Sequence, residues 1–249
     1  MVDRDDGCDG SHGLGRRSRS NGHERYSAVI QTERRRDFIA AWAVGLAAGL
    51  CSIPAAAQPK AAKPAPVILV VGDSLSAEYG LARGTGWVAL LEKQLAQEKI
   101  AAKVVNASVS GDTTSGGRSR LPALLAQHKP THVVIELGGN DALRGLPLKN
   151  TQENLRWMTD ASQKAGAEVL LVGMQVPPNY GTDYARRFAG TFASVASAQK
   201  AALVPFLLKG VADGPDPSAM FQPDRIHPRA EAHPAMLANV WPELKKLLR

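Results

Sequence analysis

The feature that most limits what this chain can fold into is an alternation repeated five times. Val67-Ile68-Leu69-Val70-Val71 is an unbroken aliphatic run, the pattern of a strand covered on both faces in a parallel sheet. Beyond Gly86 the period changes, and Trp87, Leu90, Leu91 and Leu95 recur at helical spacing. The same switch follows four more times. Lys103–Val105, His132–Leu137, Val169–Val172 and Leu203–Phe206 read as strands. Helices follow them around Leu121–Leu125, then over Leu155–Ala165, Tyr184–Gln199 and Ala230–Leu248. Strands that alternate with helices imply βαβ units, an α/β class and a parallel sheet with helices on both faces. Such sheets bind ligands beyond the carboxyl ends of their strands, so the residues at those ends decide the function.

They are polar and chemically specific. Gly72-Asp73-Ser74-Leu75-Ser76 follows the first strand, and Asn106-Ala107-Ser108-Val109-Ser110-Gly111-Asp112-Thr113 the second. Gly138-Gly139-Asn140-Asp141 follows the third, and Asp224-Arg225-Ile226-His227-Pro228 precedes the last helix. Singly, each string is an ordinary turn or helix cap. In this order they read as acyl transfer. A serine hydroxyl is a weak nucleophile until a neighbouring base takes its proton; Ser74 is the candidate nucleophile and His227 the base. Asp224, three residues earlier, can hold the imidazole through Nδ1 and leave Nε2 for the serine. Pro228 suits a first helical position and would set His227 at the mouth of the last helix. Preorganised donors for a tetrahedral oxyanion are available in the N–H groups of Ser74 and Gly111 and the carboxamide of Asn140. Glycine at 111 would let the backbone approach the reacting carbon. His128, His132 and His233 have no orienting acid nearby and read as surface or packing residues.

Gly72-Asp73-Ser74-Leu75, Gly111, Gly139-Asn140-Asp141 and Asp224-x-x-His227 resemble, in order, the four blocks of the SGNH (GDSL) hydrolase family. Val105–Ser108, Arg120–Leu125, Leu143-Arg144-Gly145 and Pro178-Asn179-Tyr180-Gly181 are similar to its exported thioesterase/lysophospholipase (arylesterase) subgroup. The resemblance implies a flavodoxin-like three-layer α/β/α sandwich with a five-stranded parallel sheet. It implies a Ser74–His227–Asp224 triad, an oxyanion hole of Ser74, Gly111 and Asn140, and a substrate groove bordered by Leu143, Arg144, Gly145, Pro178 and Tyr180. The expected substrates are small esters, thioesters or lysophospholipids, with no cofactor and no metal. A carbohydrate O-acetyl esterase on the same fold is the rival substrate class, and a non-catalytic binding module the rival of a different kind.

The N-terminal quarter has a different character. Residues 1–36 are polar, Arg34-Arg35-Arg36-Asp37 is a charged flank, and Ile39–Pro54 is an apolar run closed by Ala55-Ala56-Ala57-Gln58. This is the layout of a secretory signal, and Arg35-Arg36-Asp37-Phe38-Ile39 fits both a twin-arginine and a general export signal. The organisation expected is therefore an extension and signal over 1–57 cleaved near Ala57, a linker over 58–65 and one hydrolase domain over 66–249. That points to the periplasm or the exterior, with no membrane span in the mature form and a monomeric enzyme. Both cysteines, Cys8 and Cys51, fall in the signal region, so neither a disulfide framework nor a thiolate metal site is available to the domain. The overall charge of +7 is scattered and carries no interleaved aromatic residues, which argues against a nucleic-acid surface. A Gly-x-Ser-x-Gly elbow, a Gly-x-Gly-x-x-Gly turn and a Walker loop are all absent, which excludes α/β-hydrolases and nucleotide folds.

Overall fold

The computed structural model describes residues 64–249 apart from residue 215. The extension and signal assigned to 1–57, and most of the linker, lie outside these residues.

Five strands form one wholly parallel sheet: β1 (Val67–Gly72), β2 (Lys103–Asn106), β3 (His132–Glu136), β4 (Glu168–Val172) and β5 (Ala202–Val204), in the order β2-β1-β3-β4-β5. That is the flavodoxin-like order, whose switch point lies between β1 and β3. The unbroken aliphatic runs take the interior places. Ile68 to Val71, Val133 to Ile135 and Leu170 to Val172 are almost wholly buried, whereas β2, with its exposed Lys103 and Asn106, is an edge.

The helices are α1 (Trp87–Gln97), α2 (Thr114–His128), α3 (Gly139–Leu143), α4 (Leu148–Lys164), α5 (Thr182–Gln199) and α6 (His233–Leu247). α1 packs on α6, and α4 packs between α2 and α5, which covers both sheet faces. Each long helix buries one stripe, such as Trp87, Val88, Leu91 and Leu95 on α1. The basic pairs sit on exposed faces: Arg186 and Arg187 both meet Asp183, and Lys246 meets Glu243. Among the described residues no helix is long and apolar enough to cross a membrane.

Several boundaries differ from the sequence reading; α4, for one, begins at Leu148, seven residues before Leu155. β3 ends at Glu136, one residue early. β5 ends at Val204, because Pro205 cannot donate to the ladder. α2 begins seven residues before Leu121, with Thr113 Oγ1 accepting the Gly116 N–H at 3.3 Å as an N-cap. The last helix starts at His233 beyond a single 3-10 turn at Ala230–Ala232, with Pro234 in its first turn.

Candidate active site

Ser74 stands two residues beyond the end of β1, in a tight turn closed by the Ser76 and Ala77 N–H groups donating to the Asp73 carbonyl. Gly72 is sterically required here, since a Cβ would come within 2.9 Å of the side chains of Ser76 and Ser108. The turn lifts the serine hydroxyl over the sheet end.

His227 arrives from the far end of the chain. Its Nε2 lies 2.9 Å from Ser74 Oγ, and its Nδ1 lies 2.7 Å from Asp224 Oδ2. Three groups separated by 153 residues thus form one hydrogen-bonded chain. The imidazole is not held at a helix mouth. Pro228 lies in an antiparallel bridge with Phe221, five residues before α6. The segment between them is a small closed hairpin, in which the Gln222 N–H donates to the His227 carbonyl at 2.8 Å and the Arg229 N–H to Met220 at 2.8 Å. Asp224 Oδ1 accepts the N–H groups of Ile226 and His227, each at 3.0 Å, so one carboxylate oxygen builds the turn while the other holds the ring. The bond to His227 and these backbone donors lower the Asp224 carboxyl to about 2.

Of the three expected oxyanion donors, Ser74 and Asn140 line the cavity beside His227, and Gly111 does not. Gly111 has φ +78°, and an added Cβ would meet only Arg144 at 3.6 Å. The positive φ alone is reason for glycine here. Neither the Ser74 nor the Gly111 N–H donates to a protein acceptor among the described residues. Asn140, in the first turn of α3, spends one amide hydrogen on Asp73 Oδ2 at 3.1 Å and has the second for a ligand.

The chain opens into a cavity of about 460 Å³, within the usual range for small-molecule sites. Its walls are mainly apolar, from Leu143, Val176, Phe206, Leu208, Phe221 and Ile226. Of the expected groove residues, Leu143 and Tyr180 line it. Arg144 and Gly145 do not; the Arg144 guanidinium instead donates to the Gly111 carbonyl at 2.7 Å. Pro178 opens the 3-10 turn that carries Tyr180.

Sequence reasoning missed three contributors. The Tyr79 ring lies against His227 with centroids 4.3 Å apart. Gln222 Nε2 donates to the Tyr79 carbonyl at 3.0 Å and to Pro228 at 3.1 Å, tying the hairpin to the Ser74 turn. Asp73 and Glu136 form a buried acidic pair beneath the serine. Only the last had a signal in the sequence: Glu136 directly follows the buried aliphatic run Val133–Ile135, where an acid is out of place unless partnered.

A profile of the GDSL-like lipase/acylhydrolase family matches residues 70–235. Esterase TesA of Pseudomonas aeruginosa is 54% identical over 184 residues, spanning 74% of this chain and 90% of the relative. Thioesterase 1/protease 1/lysophospholipase L1 of Escherichia coli K12 is 40% identical over 184 residues, spanning 74% and 86%. A crystal structure of TesA, 54% identical, superposes with a TM-score of 0.70 over 73% of this chain and 99% of that one. The chain belongs to the GDSL-like lipase/acylhydrolase family, the SGNH hydrolases, and is a hydrolase with esterase and thioesterase relatives.

Proposed function

We propose that this protein is an exported serine esterase acting on aryl and acyl esters, thioesters and lysophospholipids. The observation that carries the reading is the unbroken Asp224–His227–Ser74 hydrogen-bonded chain on the floor of an apolar cavity. His227 Nε2 takes the Ser74 proton as Oγ attacks the ester carbonyl. The resulting oxyanion is held by the N–H groups of Ser74 and Gly111 and by Asn140 Nδ2. Collapse breaks the carbonyl–alkoxide or carbonyl–thiolate bond, and the imidazolium returns its proton to the leaving group. Water, deprotonated by His227, then hydrolyses the acyl-serine. Asp224 keeps the imidazole in the tautomer that presents a lone pair to the serine.

Every group in this scheme comes from one chain, so the site is complete within a single protomer, and the enzyme is read as a monomer. The layout of residues 1–57 supports export to the periplasm or beyond. Apolar walls favour an acyl or aryl group over an acetylated sugar, which would leave its hydroxyls unpaired against them. Lysophospholipid cleavage is supported by the likeness to the Escherichia coli relative, a lysophospholipase by name.

The test is hydrolysis of p-nitrophenyl esters of graded acyl length, a lysophospholipid and an acetylated xylooligosaccharide by the purified full chain. Ester and lysophospholipid turnover is expected, with Ser74→Ala lowering kcat by roughly 10⁴- to 10⁶-fold. Preference for the acetylated sugar would favour the rival reading, and activity that survives Ser74→Ala would end this one.

A further inference from the structure

The scheme above leaves the acids beneath Ser74 unused. Gly72 of β1 pairs in register with Glu136 of β3, so Asp73 and Glu136 meet at the carboxyl ends of the two central strands. Each is only 2% exposed, and the Asp73 N–H donates to Glu136 Oε2 at 3.4 Å, which sets the two acids side by side. Two carboxyl groups in contact in a dry site cannot both be ionised, so such a pair retains a proton.

The contacts say where that proton rests. Glu136 Oε2 accepts the Ser76 hydroxyl at 2.7 Å, and Ser76 Oγ is itself fixed by the Trp87 indole N–H at 3.2 Å. Both recorded donors to Glu136 fall on Oε2, which leaves the other oxygen to carry a proton. Asp73 is surrounded by donors: Leu75 N–H at 3.0 Å on Oδ1, and Asn140 Nδ2 at 3.1 Å on Oδ2. It also faces His227, and the positive charge that the imidazole takes on when it accepts the serine proton favours an ionised Asp73. Among the described residues no lysine or arginine pairs with either acid. Arg120 reaches the Gly72 carbonyl at 3.3 Å, but its own partner is Asp112 at 2.8 Å. Burial pushes Asp73 up to about 6 and Glu136 well above the ordinary carboxyl range.

We propose that Glu136 is protonated and Asp73 ionised in the working enzyme, and that this pair dictates which end of the Asn140 carboxamide faces the reacting carbonyl. The inference rests on the serine-esterase reading of the site. An Asn side chain has a donor end and an acceptor end of almost the same shape. Against a carboxylate only the NH₂ end can sit at Asp73 Oδ2, and its second hydrogen then points to the oxyanion. A neutral residue at 73 would admit the flipped amide, with its oxygen turned toward developing negative charge. Asp73 and Glu136 are thus positioning residues, acting on the oxyanion through Asn140.

A double-mutant cycle in kcat with a p-nitrophenyl ester tests the claim, alongside infrared detection of a protonated carboxyl. Asp73→Asn and Asn140→Ala should each lower kcat by about 10²-fold with KM little changed, as expected for loss of one oxyanion donor. The double variant should be no slower than Asn140→Ala alone, because both act through one group. Glu136→Gln, which still donates to Asp73 and accepts from Ser76, should recover most of the rate that Glu136→Leu loses. Wild-type protein at neutral pH should show a protonated-carboxyl carbonyl band that Glu136→Gln lacks. Losses that multiply in the double variant would overturn the positioning role. Absence of the band from the wild type would overturn the shared proton, even if a variant fails to fold. A wild type that turns over no ester would instead sink the esterase reading, and the band would still decide the protonation of the pair.

Discussion

Asp224 divides its oxygens between folding and chemistry. Oδ1 closes the turn through two backbone N–H groups, and Oδ2 holds the imidazole. Asp224→Asn can keep the first task and must fail at the second, because an NH₂ group cannot accept from Nδ1–H. We predict a fall in kcat on the order of 10³- to 10⁴-fold with little change in Tm, measured by steady-state kinetics and thermal unfolding. The two shifted aspartates also give opposite pH signatures. Asp224, lowered to about 2, stabilises the fold above the unfolded carboxyl range near 4, and this is lost as pH falls through 2. Asp73, raised to about 6, binds a proton more tightly folded than unfolded, so the fold loses stability as pH rises from about 4 to 6. Asp73→Asn removes that loss. Its Tm should exceed that of the wild type at pH 7 while the two converge at pH 4, and a lower Tm at pH 7 would contradict the assignment. Such a variant is more stable and less active, as expected where an active site retains a costly buried charge.

At the scale of elements, α3 carries Asn140 yet has only five residues, too few to be stable alone. Asp141 anchors it. Its carboxylate accepts the Thr114 N–H at 2.8 Å, the Thr114 hydroxyl, and the Thr151 hydroxyl at 3.1 Å, joining α3 to the starts of α2 and α4. Asp141→Ala strands these buried donors and should cost about 3 kcal/mol of stability, read from chemical denaturation, together with a fall in kcat from a loosened Asn140. Wild-type stability in this variant would refute the anchoring role. The helix was illegible in the sequence because five residues cannot display a 3.6 period. The first half of α2 was hidden likewise by Ser115-Gly116-Gly117, and His227 was assigned to a helix mouth because a proline after it fits either a helix start or a bridged hairpin. The long elements were legible because burial on both faces requires unbroken apolar runs, as in β1 and β3. Ser74, Asn140 and His227 were legible because parallel sheets place function at strand ends. Tyr79 on His227 and the Gln222 clamp depend on contacts between segments about 150 residues apart, which no local pattern encodes.

At the scale of the molecule, the strand order explains why the site forms where it does. With β1 between β2 and β3, the segments that carry Ser74, Gly111 and Asn140 all follow the carboxyl ends of adjacent strands, and the hairpin after β5 brings His227 to Ser74. The central claim is that this convergence makes Ser74 a single activated nucleophile. It is tested most directly by titrating the full chain with an aryl phosphonate ester and locating the adduct by peptide mass spectrometry. The account predicts one phosphonyl group per chain, on Ser74, formed in step with loss of esterase activity and strongly slowed in His227→Ala. Inactivation with the adduct on another residue, or hydrolysis that persists after Ser74 is fully modified, would contradict it.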